Sequence, residues 1–251
     1  MIKKKILTSA LTFVMLGSLA SCSSKDATYG YPVGFEQVID SSKAGEVAGK
    51  IETAKSKTPT VEGFKASGRL YRKDTVKAGT FEVVASIDGD NVNYQQTIDF
   101  TYEEGDSKVT VKNVSTLISS EAKLYNYLSI ESNDDSIVAS GEVKSYVPAA
   151  AIPASAITAI ITSIPVSELL DTNSYKVGLT SDDLLVSENI SLTHRVIINP
   201  ETGTIDHEYY KSFAVAGLFG TSLAVDYSYA KQSAISAPSD AASYVEEKVE
   251  A

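Results

Sequence analysis

Two histidines and one cysteine are the residues of this chain best suited to bind a metal or act as a nucleophile: His194, His207 and Cys22. The histidines sit in two alternating stretches, Ile190, Leu192, His194, Val196, Ile198 and Ile205, His207, Tyr209, Lys211, Phe213, joined by the turn Asn199-Pro200-Glu201-Thr202-Gly203. Period-two alternation puts both rings on the apolar face of paired strands. A glycine bulge at Gly203 would set them diagonally about 7 to 8 Å apart, a spacing that permits a two-histidine metal site. No carboxylate or thiol shares the face in this alternation, so hydrogen-bonded or partly exposed sheet histidines are the ordinary explanation, and neither a metal nor a cofactor is expected. Asp88, Asp90 and Asn93 start like a calcium loop, but Val92 stands where an oxygen ligand is required and Asn93 where glycine is required. A hairpin turn explains them better. The acidic pairs Glu103-Glu104, Asp134-Asp135 and Asp182-Asp183 read as solvated turns rather than paired catalytic carboxylates. HExxH, GxSxG and P-loop patterns are missing from the sequence, which leaves zinc protease, serine hydrolase and NTPase chemistry without support. No catalytic residue is assigned and no enzyme is expected.

Composition narrows the partners. The 251 residues carry 22 Lys and Arg against 32 Asp and Glu, a net charge of −10, with 43% apolar residues and no tryptophan. Such a chain is long enough for one sizeable core or two small ones, and its apolar content argues against wholesale disorder. An acidic surface repels nucleic-acid phosphates and anionic headgroups alike. A single cysteine excludes an intramolecular disulfide and any site built on several thiolates. The fourteen tyrosines could line a carbohydrate or peptide surface, yet most alternate within strands, where tyrosine is favoured anyway.

The N-terminus carries an address. Lys3, Lys4 and Lys5 precede an apolar stretch from Ile6 to Ala20, the pattern of a secretory signal peptide over residues 1–21. It is short for a permanent span, which takes about 20 apolar residues. Leu19-Ala20-Ser21-Cys22 resembles the lipobox of bacterial lipoproteins. That resemblance implies acylation of Cys22, which becomes the new N-terminus and the attachment point to the extracytoplasmic face of a cell membrane, the outer membrane where the source has one. Two acyl chains at about 0.8 kcal/mol per buried CH₂ anchor stably where one chain is marginal. Ser18 and Ala20 also satisfy the rule for ordinary signal cleavage, and a lone cysteine also fits a buried core thiol. Loss of residues 1–21 removes three lysines and leaves 19 basic groups against 32 acidic ones, a side-chain charge of −13. Residues 22–34, the lipidated cysteine and a stretch with Gly30 and Pro32 but no periodicity, read as a flexible tether. Extended, it reaches roughly 40 Å.

The elements that must position any site follow. Phe35, Val38, Ile39, Val47, Ile51 and Ala54 fall near helical spacing, and Thr58-Pro59 stops the helix. Alternation then predicts strands over Phe64 to Tyr71, Thr80 to Asp88, Val92 to Tyr102 and Lys108 to Ser115, a four-stranded antiparallel meander with hairpin chemistry in its links. The C-terminal half adds strands at Tyr175 to Leu179, Ile190 to Ile198, Ile205 to Phe213 and Leu223 to Tyr229. Between the sets, Leu117 to Ile130 has mixed helical character. Ser145 to Ser167 carries Ile157, Ile160, Ile161 and Ile164 at helical spacing and only uncharged residues up to Val166. A membrane span there is interrupted by Pro148, Pro153 and Pro165; a buried helix against the sheet is the better reading, and a movable lid over an apolar pocket is a further one. Residues 231–251 lose periodicity and read as a polar C-terminal tail, with a short helix possible after Pro238.

A tethered chain with an N-terminal helix, a long meander, a central helical insertion and a final set of strands over residues 35–230 resembles the LolA/LolB and LppX/LprG group of bacterial proteins. The resemblance implies an α+β domain, a curved antiparallel sheet forming an open half-barrel with helices packed on one face and an apolar cavity for acyl chains. It is one of layout, so it transfers no ligand-contacting residue. The expected function is noncatalytic binding of a hydrophobic or lipid-like molecule at the membrane. The alternative is a protein-interaction or structural lipoprotein with a solid core.

Overall fold

The computed structural model describes residues 41–72, 76–136, 138–156, 166–191, 193–215 and 219–247. The signal peptide, Cys22, the tether, the start of the expected first helix and the isoleucines Ile157 to Ile164 lie outside the described residues. The described chain is dominated by strands, thirteen in all and antiparallel except for the last, and it divides into two compact units. Of the described residues, one comprises 61–69, 78–136, 138–156 and 228–247, the other 41–60, 70–72, 76–77, 166–191, 193–215 and 219–227.

The first of these units, here the meander unit, is built from β1 (Gly63–Arg72), β2 (Val76–Asp88), β3 (Asn91–Glu104), β4 (Ser107–Ile118), β5 (Lys123–Ser132) and β6 (Gly141–Pro148), hydrogen-bonded in chain order, with β7 (Ile152–Pro153) paired to the start of β3. Two of its hairpins close through two residues. Gly89 and Gly105 take the first loop position with φ of 59° and 58°, the left-handed conformation that a primed turn demands there. The expected meander is therefore present, and it runs two strands further than expected. Leu117 to Ile130 is not helical: Leu117 and Ile118 end β4, one 3₁₀ turn spans Ser119–Glu121, Ala122 adopts φ 50°, and β5 follows. Nor does Ser145 start a buried helix. It lies in β6, and after β7 only a 3₁₀ turn, Ala154–Ala156, is described before residue 157.

In the second unit α1 (Ala44–Ser56) places Val47, Ile51 and Ala54 on one face, near i, i+4, i+7, with Glu46 in its first turn and Lys55 in its last, charges that suit the helix dipole. That face joins Leu169 and Leu170, at and just after α2 (Val166–Leu169), in one apolar cluster with residues of β8 (Tyr175–Leu179), β9 (Leu185–Asn189), β10 (His194–Asn199) and β11 (Thr204–Val215). The strand order continues from β8 through β11 to β12 (Phe219–Ser228). The strand expected from Ile190 starts instead at His194. Asn189 Oδ1 accepts the backbone N–H groups of Thr193 and His194 and holds a turn in which Ile190 is 77% exposed. Helices thus make a smaller share of the described chain than an α+β reading with several covering helices foresaw. Among the described residues no helix is long and apolar enough to cross a membrane.

The C-terminal segment is tied to the meander unit. Val245 and Glu246 form β13, which adds to β6 as a parallel strand, Lys144 Nζ meets Asp240 at 2.9 Å, and the Tyr244 ring stands edge-on to Tyr125 at 5.4 Å.

Candidate functional site

Strand register in the meander unit sorts its side chains onto two unlike faces. Directly opposed residues of an antiparallel pair share a face, so Phe81, Ile98 and Asn113 lie on one side, and Glu82, Thr97 and Val114 on the other. Taking alternate residues from Phe81 to Ile87, Val92 to Tyr102, Val109 to Leu117, Leu124 to Ile130 and Val143 to Val147, the first face has no Asp, Glu, Lys or Arg at any position. The second face carries the charges, including Lys65 with Glu82 at 2.6 Å and Glu103 with Lys108 at 3.2 Å.

One row breaks the apolar face. Gln96, Ser115, Asn126 and Ser145 are register partners across β3, β4, β5 and β6, with Asn113 one step away on β4. At about 4.8 Å per strand the row is about 14 Å long. Its amides are oriented by their neighbours. Asn113 Nδ2 donates to the Tyr127 carbonyl at 3.1 Å and to Asn126 Oδ1 at 2.9 Å, Ser115 donates to the same oxygen at 3.1 Å, and Tyr94 O–H donates to Gln96 Oε1 at 2.6 Å. Burial pushes the Tyr94 phenol far above its ordinary range, which keeps it a donor. The Gln96 and Asn126 amide nitrogens and the Ser145 hydroxyl have no hydrogen-bond partner among the described residues; Gln96 and Ser145 are only 3% and 4% exposed, yet none of these atoms is enclosed away from solvent.

A second polar cluster lies in the other unit and corrects the sequence expectation for the histidines. β10 and β11 pair with a bulge. Ile197 opposes His207 and Ile198 opposes Ile205, so Asp206 is the extra residue and Gly203 is not. The bulge reverses the alternation beyond it. Glu208 moves onto the face of His194, and His207 moves to the opposite face, where its Nδ1 meets Asp226 Oδ1 at 2.6 Å. The two histidines therefore do not share a site. Among the described residues no group of three or more His, Cys, Asp or Glu could hold a metal ion.

His194 Nε2 instead donates to Glu208 Oε1 at 2.7 Å, Tyr210 O–H donates to the same oxygen at 2.5 Å, and Tyr227 O–H donates to Oε2. The His194 and Tyr210 rings stack at 4.4 Å. Burial alone would raise the Glu208 carboxyl, but hydrogen bonds from His194, Tyr210 and Tyr227, with attraction to His194, hold it below its ordinary value. Burial, then the Glu208 charge, pushes the Tyr210 phenol well above its own. The opposite face buries an ion pair, Arg195 Nη2 to Glu188 Oε1 at 2.9 Å. Each carboxylate has its donors, so these groups hold strands in place.

The remaining sequence candidates are turn residues. Asp88 and Asp90 are exposed at the β2–β3 hairpin, while Asn93 is buried and its Oδ1 accepts from the Ser119 N–H. Asp134 Oδ1 accepts from Ser136, which with Ser107 lowers its carboxyl. Asp183 sits at φ 62°. The spacing Ser-x-x-Lys does occur, at Ser120 to Lys123 and Ser228 to Lys231, but neither pair lies on an α-helix that would bring hydroxyl and amine together; Lys123 Nζ sits over the Tyr146 ring instead. The row of the meander unit had no signature in the sequence, because its residues look like ordinary strand polar residues until register aligns them. Comparison of the chain with protein-family models, with curated proteins and with solved structures finds no match.

Proposed function

We propose that this is a lipid-anchored, extracytoplasmic bacterial protein that binds a hydrophobic or lipid-like molecule and catalyses no conversion of it. The observation that carries the binding reading is the face of β2 to β6 that is free of charge away from the strand ends, on which Val111, Leu124, Ile130, Val143 and Val147 are only half-buried. Fully burying an aliphatic side chain stabilises by about 1.5 to 3 kcal/mol, so a ligand chain laid on these residues gains the part still in contact with water. The resemblance to the LolA/LolB and LppX/LprG group, carried by the N-terminal helix, the meander and the final strands and not by Leu117 to Ile130, which forms strands, implies an acyl-chain cavity and agrees with this reading. The lipobox at Leu19 to Cys22 supports the anchor.

Uptake of a pyrene-labelled alkane by the purified full chain tests the binding. Saturable uptake is expected, reduced at least about tenfold in Leu124→Asp and Val147→Asp, since a carboxylate on this face is costly to desolvate. Absence of uptake by the wild type contradicts the proposal. For the anchor, Cys22→Ser is expected to shift the protein from the membrane to the soluble fraction; retention of the variant at the membrane contradicts it.

A further inference from the structure

We infer that the row Gln96, Ser115, Asn126, Ser145 recognises the uncharged oxygens of an acyl ester, so that the protein takes neutral amphiphiles in preference to ionised ones. The inference rests on the hydrophobic-ligand reading and names the chemistry of the ligand at the same face.

The unpaired donors of the row are not enclosed: none is among the buried side-chain atoms that lack a partner, so water, or a ligand in its place, reaches them. A row that only braced the sheet would be expected to pair its donors with its own acceptors, as the groups around Glu208 do. This one closes only on its acceptor side. Asn126 Oδ1 takes two donors and Gln96 Oε1 takes one, which leaves two amide N–H₂ groups and the Ser145 hydroxyl directed at no described residue. What the row lacks is acceptors, and an ester supplies oxygen acceptors and no donor.

Charge selects among oxygens. On one side the row borders Ile98, Asn113, Leu128 and Val143 and on the other Tyr94, Leu117, Leu124 and Val147, apolar but for one amide and one phenol, and none of these positions carries a cation. A carboxylate or phosphate would lose its hydration here with no counter-charge to replace it, whereas an ester gives up weaker hydration. The acyl chain would then run along an apolar strip while the ester oxygens meet the row.

The test is fluorescence titration of the purified full chain with three probes of equal chain length: a monoacylglycerol ester, the corresponding fatty acid at alkaline pH, and the alkane. The ester is expected to bind at least about tenfold more tightly than either of the others, the scale of one well-made hydrogen bond. Gln96→Met and Asn126→Leu are expected to weaken ester binding about tenfold without weakening the alkane. An ester no tighter than a bound alkane overturns this inference and leaves the hydrophobic-ligand reading standing; failure of all three probes overturns both. The ranking in the wild type decides the matter even where a variant fails to fold.

Discussion

Glu208 in the helix-covered unit and Gln96 in the meander unit are both buried sheet residues with apolar neighbours, yet three donors converge on the carboxylate of the one while the amide nitrogen of the other donates to no described residue. The difference separates structural polarity from polarity available to a ligand. A buried charge is tolerated when its hydrogen bonds are complete, and Glu208 meets that condition through a bulge that turns it toward His194. The uncharged row is cheaper to bury, and it retains donors that a bound molecule can use.

The largest effect expected from breaking this contrast is at His194. His194→Ala removes one donor and a stacked ring from a buried carboxylate and is expected to cost about 3 to 5 kcal/mol in urea unfolding. A cost under 1 kcal/mol would mean that Glu208 does not depend on its partners. Gly203→Ala comes next. Gly203 has φ 69°, and an added Cβ would lie 2.8 Å from Lys57 Cβ and 3.1 Å from the Ala54 carbonyl at the end of α1, so about 1 to 2 kcal/mol is expected in the same measurement. Acid sharpens the contrast without mutation. Because folding lowers the Glu208 carboxyl below its ordinary value of 4.5, its stabilising contribution is present above that pH and is lost as pH falls through the folded value. Signals from the helix-covered unit should therefore melt in acid before those of the row, which has nothing to protonate; amide exchange against pH reads this. The smallest effect is at Ser145. Ser145→Ala removes a hydroxyl with no described partner and is expected to change stability by less than about 0.5 kcal/mol, while lowering ester affinity.

Much of this architecture is legible in the sequence. Val47, Ile51 and Ala54 announce α1, and the alternation from Val92 to Tyr102 with Gly89 and Gly105 beside it announces the meander. β5 and β6 escape the same reading because Asn126 and Ser145 interrupt their apolar face while Tyr125 and Tyr146 enrich the other, which blurs the period. The residues that hide these strands are the ones proposed to meet the ligand. Glu208 escapes for another reason: a one-residue bulge at Asp206 inverts every assignment after it. β13 has only two residues, Val245 and Glu246, too few for any period.

Native mass spectrometry of the protein extracted from its own membranes reads ligand binding without a chosen probe. A co-purifying adduct with the mass of a neutral acyl ester is expected, lost in Leu124→Asp. Recovery of the ligand-free mass alone, from a protein that also fails to take up the labelled ester, would contradict ligand binding.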